Sequence, residues 1–218
     1  MNGAPERLRR TSIVLLFFVS GFCNLVYEIV WARMLNLLFG VTVFAVSAVL
    51  TSFMLGLACG AMIVGRFADR TRTPIRLFAW LHVGICLSSV ALLLAAPAMR
   101  DLYVRVHAVF GSNVHVLRAM VFLLSSLMLL VPTTLMGATF PVSIKALATS
   151  EANLGRNVGT LYSVSTLGSV VGCITTVSVL LESAGMRGTI LIAAFADLMI
   201  GMAALGADRF LPRGDASE

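Results

Sequence analysis

The chain is 218 residues long, 59% hydrophobic and only 12% charged, whereas soluble domains carry roughly 45–50% apolar and about 25% charged residues. So little charge cannot coat a soluble core of this size, so the composition excludes a soluble globule and calls for apolar surface facing lipid. The net charge of +6 comes from fifteen Arg and one Lys against ten acids; in such a chain it sets topology and does not point to nucleic acid.

A bilayer-crossing helix needs about 20 predominantly apolar residues, and six such stretches fill the chain: residues 12–31, 39–64, 77–99, 117–140, 158–181 and 188–207. The expected organisation is a cytoplasmic N-terminus over 1–11, a six-helix transmembrane domain over 12–207 and a cytoplasmic tail over 208–218, with nothing soluble after it. Arg7, Arg9 and Arg10 ahead of an apolar run look like a signal peptide. The run continues past Gly21 without a small-residue cleavage site, so it reads as an uncleaved first helix.

Gly56 with Gly60 in the second span, and Gly168 with Gly172 in the fifth, permit close helix crossings. Between Arg100 and Val116 polar and apolar residues alternate, which predicts a short amphipathic helix in the interface. Pro132 and Pro141 predict a broken second half of the fourth span, a hinge or a site, because an interrupted helix is tolerated at membrane depth only where it is buried or lines a cavity. Cys23, Cys59, Cys86 and Cys173 all lie inside apolar runs and read as small hydrophobes, neither a disulfide framework nor a metal cluster. No metal or cofactor is expected.

Lys and Arg sort between the two sides. The N-terminus, the second loop (Arg66, Arg70, Arg72, Arg76), the fourth loop (Lys145, Arg156) and the tail (Arg209, Arg213) hold eleven, and the opposite loops hold five: Arg33, Arg100, Arg105, Arg118 and Arg187. An excess of Lys and Arg marks cytoplasmic loops, so both termini are expected inside.

The second span ends in Gly65-Arg66-Phe67-Ala68-Asp69-Arg70-Thr71-Arg72. This run resembles the G-x-x-x-D-R-x-G-R loop signature of the major facilitator superfamily, in the matching place between helices two and three of a six-helix half, and departs from it at Thr71-Arg72. The resemblance implies a gating loop of Gly65, Asp69, Arg70 and Arg72. Asp69 would cap a neighbouring helix start and pair with Arg to latch one conformation, since an anion is favoured at a helix N-terminus. Four further segments, at residues 25–33, 54–60, 132–141 and 161–168, look like the membrane part of bacterial fused MFS/spermidine synthase proteins, in which a helical portion is joined to an aminopropyltransferase-like domain. Here no glycine-rich nucleotide loop and no βαβ pattern accompanies them. The implied fold is all-α, six transmembrane helices resembling one half of a major facilitator transporter, in a bacterial inner membrane.

Several polar residues lie inside the spans. Ser20, Asn24, Tyr27, Glu28 and Trp31 form one stripe at helical spacing on the first helix, with Trp31 at the outer interface and Glu28 about one turn below it. A charged side chain in the bilayer is by default a functional candidate; the alternative for Glu28 is a structural carboxylate paired with Arg33 or held by a neighbouring helix. Asp197 on the sixth helix is the deepest acid, read either as a pathway residue or as a packing lock with His82 on the third. The fifth helix carries Tyr162, Ser165, Thr166, Ser169, Cys173 and Thr176 on one stripe, read as a cavity lining or as interhelical glue.

Six helices alone enclose little, so the resemblance implies a homodimer whose first, fourth and fifth helices surround a shared pathway. Intramembrane acids with few bases favour a cationic solute or a proton. The leading expectation is proton-coupled or facilitated transport of small organic cations, polyamines being suggested by the family's name alone. The alternative is a membrane anchor or assembly subunit for a separately encoded soluble aminopropyltransferase-like partner. No metal cluster, nucleophile–base pair or phosphate loop supports an enzyme.

Overall fold

The computed structural model describes residues 3–40, 42–68, 70–71, 73–111, 113–147 and 154–210. Nearly all of these residues are helical, and six helices are long and apolar enough to cross a membrane. They are α1 (Gly3–Phe39), α2 (Val43–Ala68), α3 (Pro74–Phe110), α4 (Val114–Leu147), α5, and α6 (Gly185–Phe210). The fifth begins as Leu154–Thr175, widens through a π turn at Thr176–Leu180 and ends at Leu181–Ser183. The chain is a polytopic all-α membrane protein.

Turn chemistry separates the helices. Gly40, at φ 89°, takes the left-handed conformation that ends α1, and the Thr42 hydroxyl accepts from Ala45 N at 3.1 Å to start α2. Pro74 opens α3 where a missing N–H costs nothing. Asn113 Oδ1 accepts from His115 N and Val116 N, at 3.1 and 3.3 Å, capping α4.

Three sequence expectations are corrected here. Residues 100–116 form no separate interfacial helix: nothing between Met99 and Phe110 stops α3, which runs on until the Gly111 turn. Its last turns are held by Tyr103, packed edge-on against Phe39 at 5.1 Å. Pro132 and Pro141 do not break α4. Thr133 Oγ1 donates to Leu129 O at 2.6 Å, Thr139 Oγ1 to Met136 O at 2.7 Å and Ser143 Oγ to Thr139 O at 2.8 Å; such hydroxyls re-satisfy backbone around a transmembrane proline. Finally, α1 continues two turns past Trp31, where the first span was expected to end, and Trp31 is fully buried inside the bundle.

Lipid removes most of the hydrophobic drive between helices, so close contact must supply the association. The glycines provide it. Gly56 and Gly60 on α2 seat against Thr133 and Thr134 of α4, and Gly137 of α4 against the Leu57 backbone. Gly168 and Gly172 on α5 seat against Phe18 and Phe22 of α1, and Gly21 of α1 against Ser165. Both glycine pairs read from the sequence are thus crossing points.

The most extensive pairings are α2 with α4, α1 with α5 and α3 with α6, followed by α3 with α4 and α1 with α6. Exchanging α1, α2, α3 for α4, α5, α6 maps this set onto itself, the pattern of two three-helix repeats. Burial is uneven: 44% of the most apolar window of the first span is covered inside the bundle, against 17% for the fifth.

The seams are testable. Gly60→Ala, Gly137→Ala and Gly168→Ala, each placing a methyl against backbone, should cost about 1–3 kcal/mol of unfolding free energy, measured as an unfolding equilibrium in bicelles. Gly159→Ala, where a methyl meets open space, should be neutral or stabilise by up to ~1 kcal/mol. Equal effects at all four positions would contradict the glycine seams.

Candidate functional site

The polar residues of α1 divide by face. Ser20, Tyr27 and Trp31 are buried and Asn24 is half-buried. Positions 20, 24, 27 and 31 fall within one narrow stripe. Each carries a buried polar atom without a hydrogen-bond partner among the described residues: Ser20 Oγ, Asn24 Oδ1, Tyr27 OH and Trp31 Nε1. Glu28 leaves this stripe. It sits on the edge turned toward the α5 side, half-buried, with no ion pair or hydrogen bond among the described residues, so the expected pairing with exposed Arg33 does not form.

At the heart of the bundle His82 Nδ1 lies 2.7 Å from Asp197 Oδ1, both side chains fully buried. This is the α3–α6 pairing weighed in the sequence, and its length is at the short, charge-assisted end for N–H···O bonds. The Tyr27 hydroxyl lies beside Ser89 and Asp197 without closing a hydrogen bond to either. Ser89 Oγ donates instead to Ile85 O at 2.6 Å, which leaves its lone pairs free. His82 Nε2 and Asp197 Oδ2 have no partner among the described residues. Cys23 and Cys86 stand close enough to feel the Asp197 charge. Phe78 packs edge-on to the His82 ring at 4.5 Å, and Tyr27 stacks on Trp31 at 4.9 Å.

The fifth-helix stripe also divides. Ser165 and Ser169 line the α1 seam, Ser169 Oγ donating to Gly21 O at 3.0 Å, which makes them glue. Tyr162 and Thr166 face outward, Tyr162 65% exposed, with Thr166 Oγ1 donating to Tyr162 O at 2.8 Å. Thr176 and Ser178 donate to Gly172 O and Ile174 O. Such hydroxyls compete with the backbone ladder, in the stretch where the helix widens to a π turn. In the loop for which the resemblance implied gating, Gly65 lies against Pro141 and Arg70 is exposed at a turn in which its N–H donates to Phe67 O at 3.1 Å. Asp69 and Arg72 lie outside the described residues.

Of the expected residues, then, the fold brings Tyr27 and Asp197 together, places Asn24 and Glu28 on the same helix nearby, and sends Tyr162 and Thr166 to a separate face. Sequence reasoning missed a cavity of about 430 Å³ between α1, α3 and the start of α6, at the end of the bundle opposite the N-terminus. Its walls include Met34, Leu93, Pro97, Arg100 and Arg187. The available signal was that Arg100 and Arg187, in separate loops, fall at the same end of their spans. No group of three or more His, Cys, Asp or Glu gathers to hold a metal among the described residues.

Comparison of the chain with protein-family models, with curated proteins and with solved structures finds no match. The fold and the buried polar centre therefore define the class, a polytopic α-helical membrane protein with an intramembrane His–Asp pair.

Removing one partner of a buried pair strands the other. Asp197→Ala should destabilise the bundle by about 3–5 kcal/mol, and His82→Leu/Asp197→Val should recover most of that loss. Unfolding titrations of both variants in bicelles check this. A double variant no more stable than Asp197→Ala would mean that packing alone sets the loss.

Proposed function

We propose that the chain is a six-helix half of a major-facilitator-like transporter that works as a homodimer in a bacterial inner membrane, termini cytoplasmic, and moves a small organic cation. The observation that carries the reading is the outward face of α5. It belongs to the least covered span and presents Tyr162 and Thr166, polar groups that a second copy would shelter from lipid, with Cys173 on the same face. Two three-helix repeats within six helices support the same reading, since they recur inside each half of major facilitator transporters.

Glu28 supplies the charge logic. An unpaired, half-buried carboxylate within a span attracts a cation, and every Arg and Lys within the six helices lies toward a helix end. Amines of the polyamine kind are the substrate class to which the resemblance points. The cytoplasmic placement of both termini rests on the eleven-to-five split of basic residues.

A variant keeping Cys173 as its sole cysteine should crosslink to a dimer with a short bismaleimide in liposomes, and the nanodisc-embedded particle should have twice the protomer mass. In proteoliposomes, Glu28→Gln should raise the KM for a cationic solute about ten- to hundredfold, the worth of ~1.5–3 kcal/mol for a hydrogen bond to a charged group. A monomeric particle without flux, co-purifying with a soluble aminopropyltransferase-like protein, would overturn the reading in favour of an anchor.

A further inference from the structure

We infer that the His82–Asp197 pair is a one-proton binding site inside each single bundle, reached through the α1–α3–α6 seam from the end opposite the N-terminus. The cavity of about 430 Å³ at that end is walled by Met34 and Leu38 of α1, Leu93 and Pro97 of α3, and Met186 and Arg187 of α6. Of these helices α3 and α6 carry the pair, and α1 places Tyr27 beside it. At 1.5 Å per residue, Met34 stands roughly 10 Å above Tyr27, and Leu93 and Met186 roughly 16 Å above His82 and Asp197. The Tyr27 and Trp31 rings, stacked at 4.9 Å and fully buried, lie on α1 between the level of the pair and that of Met34.

The pair has the features of a site that exchanges a proton. His82 Nδ1 is committed to Asp197 Oδ1, so a proton added to or lost from the ring does so at Nε2, the nitrogen left without a partner. With that proton the pair is an imidazolium–carboxylate, neutral overall, and the 2.7 Å separation suits a charge-assisted bond. Without it the Nε2–H bond has broken, the proton has passed to water, and a full negative charge is left at membrane depth, the state the interior opposes most.

Among the described residues no Lys or Arg pairs with Asp197 to offset that charge. From α1 the pair meets Cys23 and Tyr27, with Glu28 on the neighbouring edge, and from α3 Cys86. The His115, Arg118 and Lys145 side chains of α4 lie toward its ends, and Arg100, Asp101 and Arg187 stand at the cavity. Proton release is therefore tied to water reaching the pair. Asn24 Oδ1 and Ser20 Oγ, unpartnered on the same stripe, continue the polar line toward the N-terminal end.

The site stands on this geometry; its use in coupling rests on the transporter reading, so the test reads the two separately. The chain has three histidines, so ¹⁵N-histidine labelling of the whole protein in nanodiscs gives three rings to resolve, His82 being identified by its loss in His82→Gln. The His82 ring should carry both protons at neutral pH, lose one in Asp197→Asn, and ignore replacement of potassium by sodium. A ring that stays singly protonated wherever the bundle is folded would overturn the site, and one that responds to sodium would make it a metal-cation site instead. In proteoliposomes an inward proton gradient should accelerate wild-type solute uptake at least about fivefold more than it accelerates uptake by Asp197→Asn. Equal acceleration in both, with the ring titrating as described, overturns coupling and leaves the site. Absence of flux in the wild type overturns the transporter reading while the spectra still decide the site.

Discussion

Close backbone approach is the constraint on which the rest of the structure depends. In lipid, apolar side chains gain little by leaving one hydrocarbon for another, so helices associate where their backbones come near enough for dense dispersion contact and interhelical hydrogen bonding. The α2–α4 and α1–α5 seams meet this with glycines on both partners: Gly56 and Gly60 against Thr133 and Thr134, Gly137 against Leu57, and Gly168 and Gly172 against Phe18 and Phe22. The third strong pairing, α3 with α6, adds a different device, the fully buried His82–Asp197 pair. A buried pair is a weak source of net stability because desolvation offsets its attraction. Its cost is understandable if it fixes which faces meet or if it carries a charge that matters to function.

The seams also explain why two prolines leave α4 intact. A proline removes one backbone donor and crowds the carbonyl four residues earlier, which in water invites a break. In α4 the neighbouring hydroxyls of Thr133, Thr139 and Ser143 turn back onto carbonyls of their own helix, and the glycine face of α2 lies directly against the segment around Thr133. Chain and neighbour together hold the helical path that the local sequence alone would interrupt.

This sets the limit of what could be read from residues. Span number and the two glycine pairs were legible because hydropathy over about 20 residues and i, i+4 spacing are local properties. The pairing of Asp197 with His82, one of two alternatives read for that acid, is present in the fold. What could not be read was rotation. One stripe held Ser20, Asn24, Tyr27, Glu28 and Trp31, yet the bundle turns Ser20, Tyr27 and Trp31 inward and leaves Glu28 at an edge. The fifth helix likewise divides between a seam and an outward face, and only the position of α1 decides which hydroxyl does what. The cavity beside Pro97 is further from reach, since its walls come from three helices far apart in the chain.

The division of α1 gives that helix an unusual position in the bundle. One of its faces, at Phe18, Gly21 and Phe22, is held rigidly against α5; another, at Ser20, Asn24, Tyr27 and Trp31, presents unpartnered polar atoms to the interior. Glu28 lies between the two. The α5 glycine contacts thus fall on the same helix that carries the Tyr27–Trp31 stack. Carried upward, the parallel register of Phe18 at Gly168 and Phe22 at Gly172 brings Glu28 level with Ser178, in the middle of the π turn. A widened turn of this kind is the weakest part of a helix and a common feature of functional sites. On the proposed reading, Glu28, the π turn of α5 and the His82–Asp197 pair would be linked through α1, the helix by which an outward-facing solute site would communicate with a proton site inside the bundle.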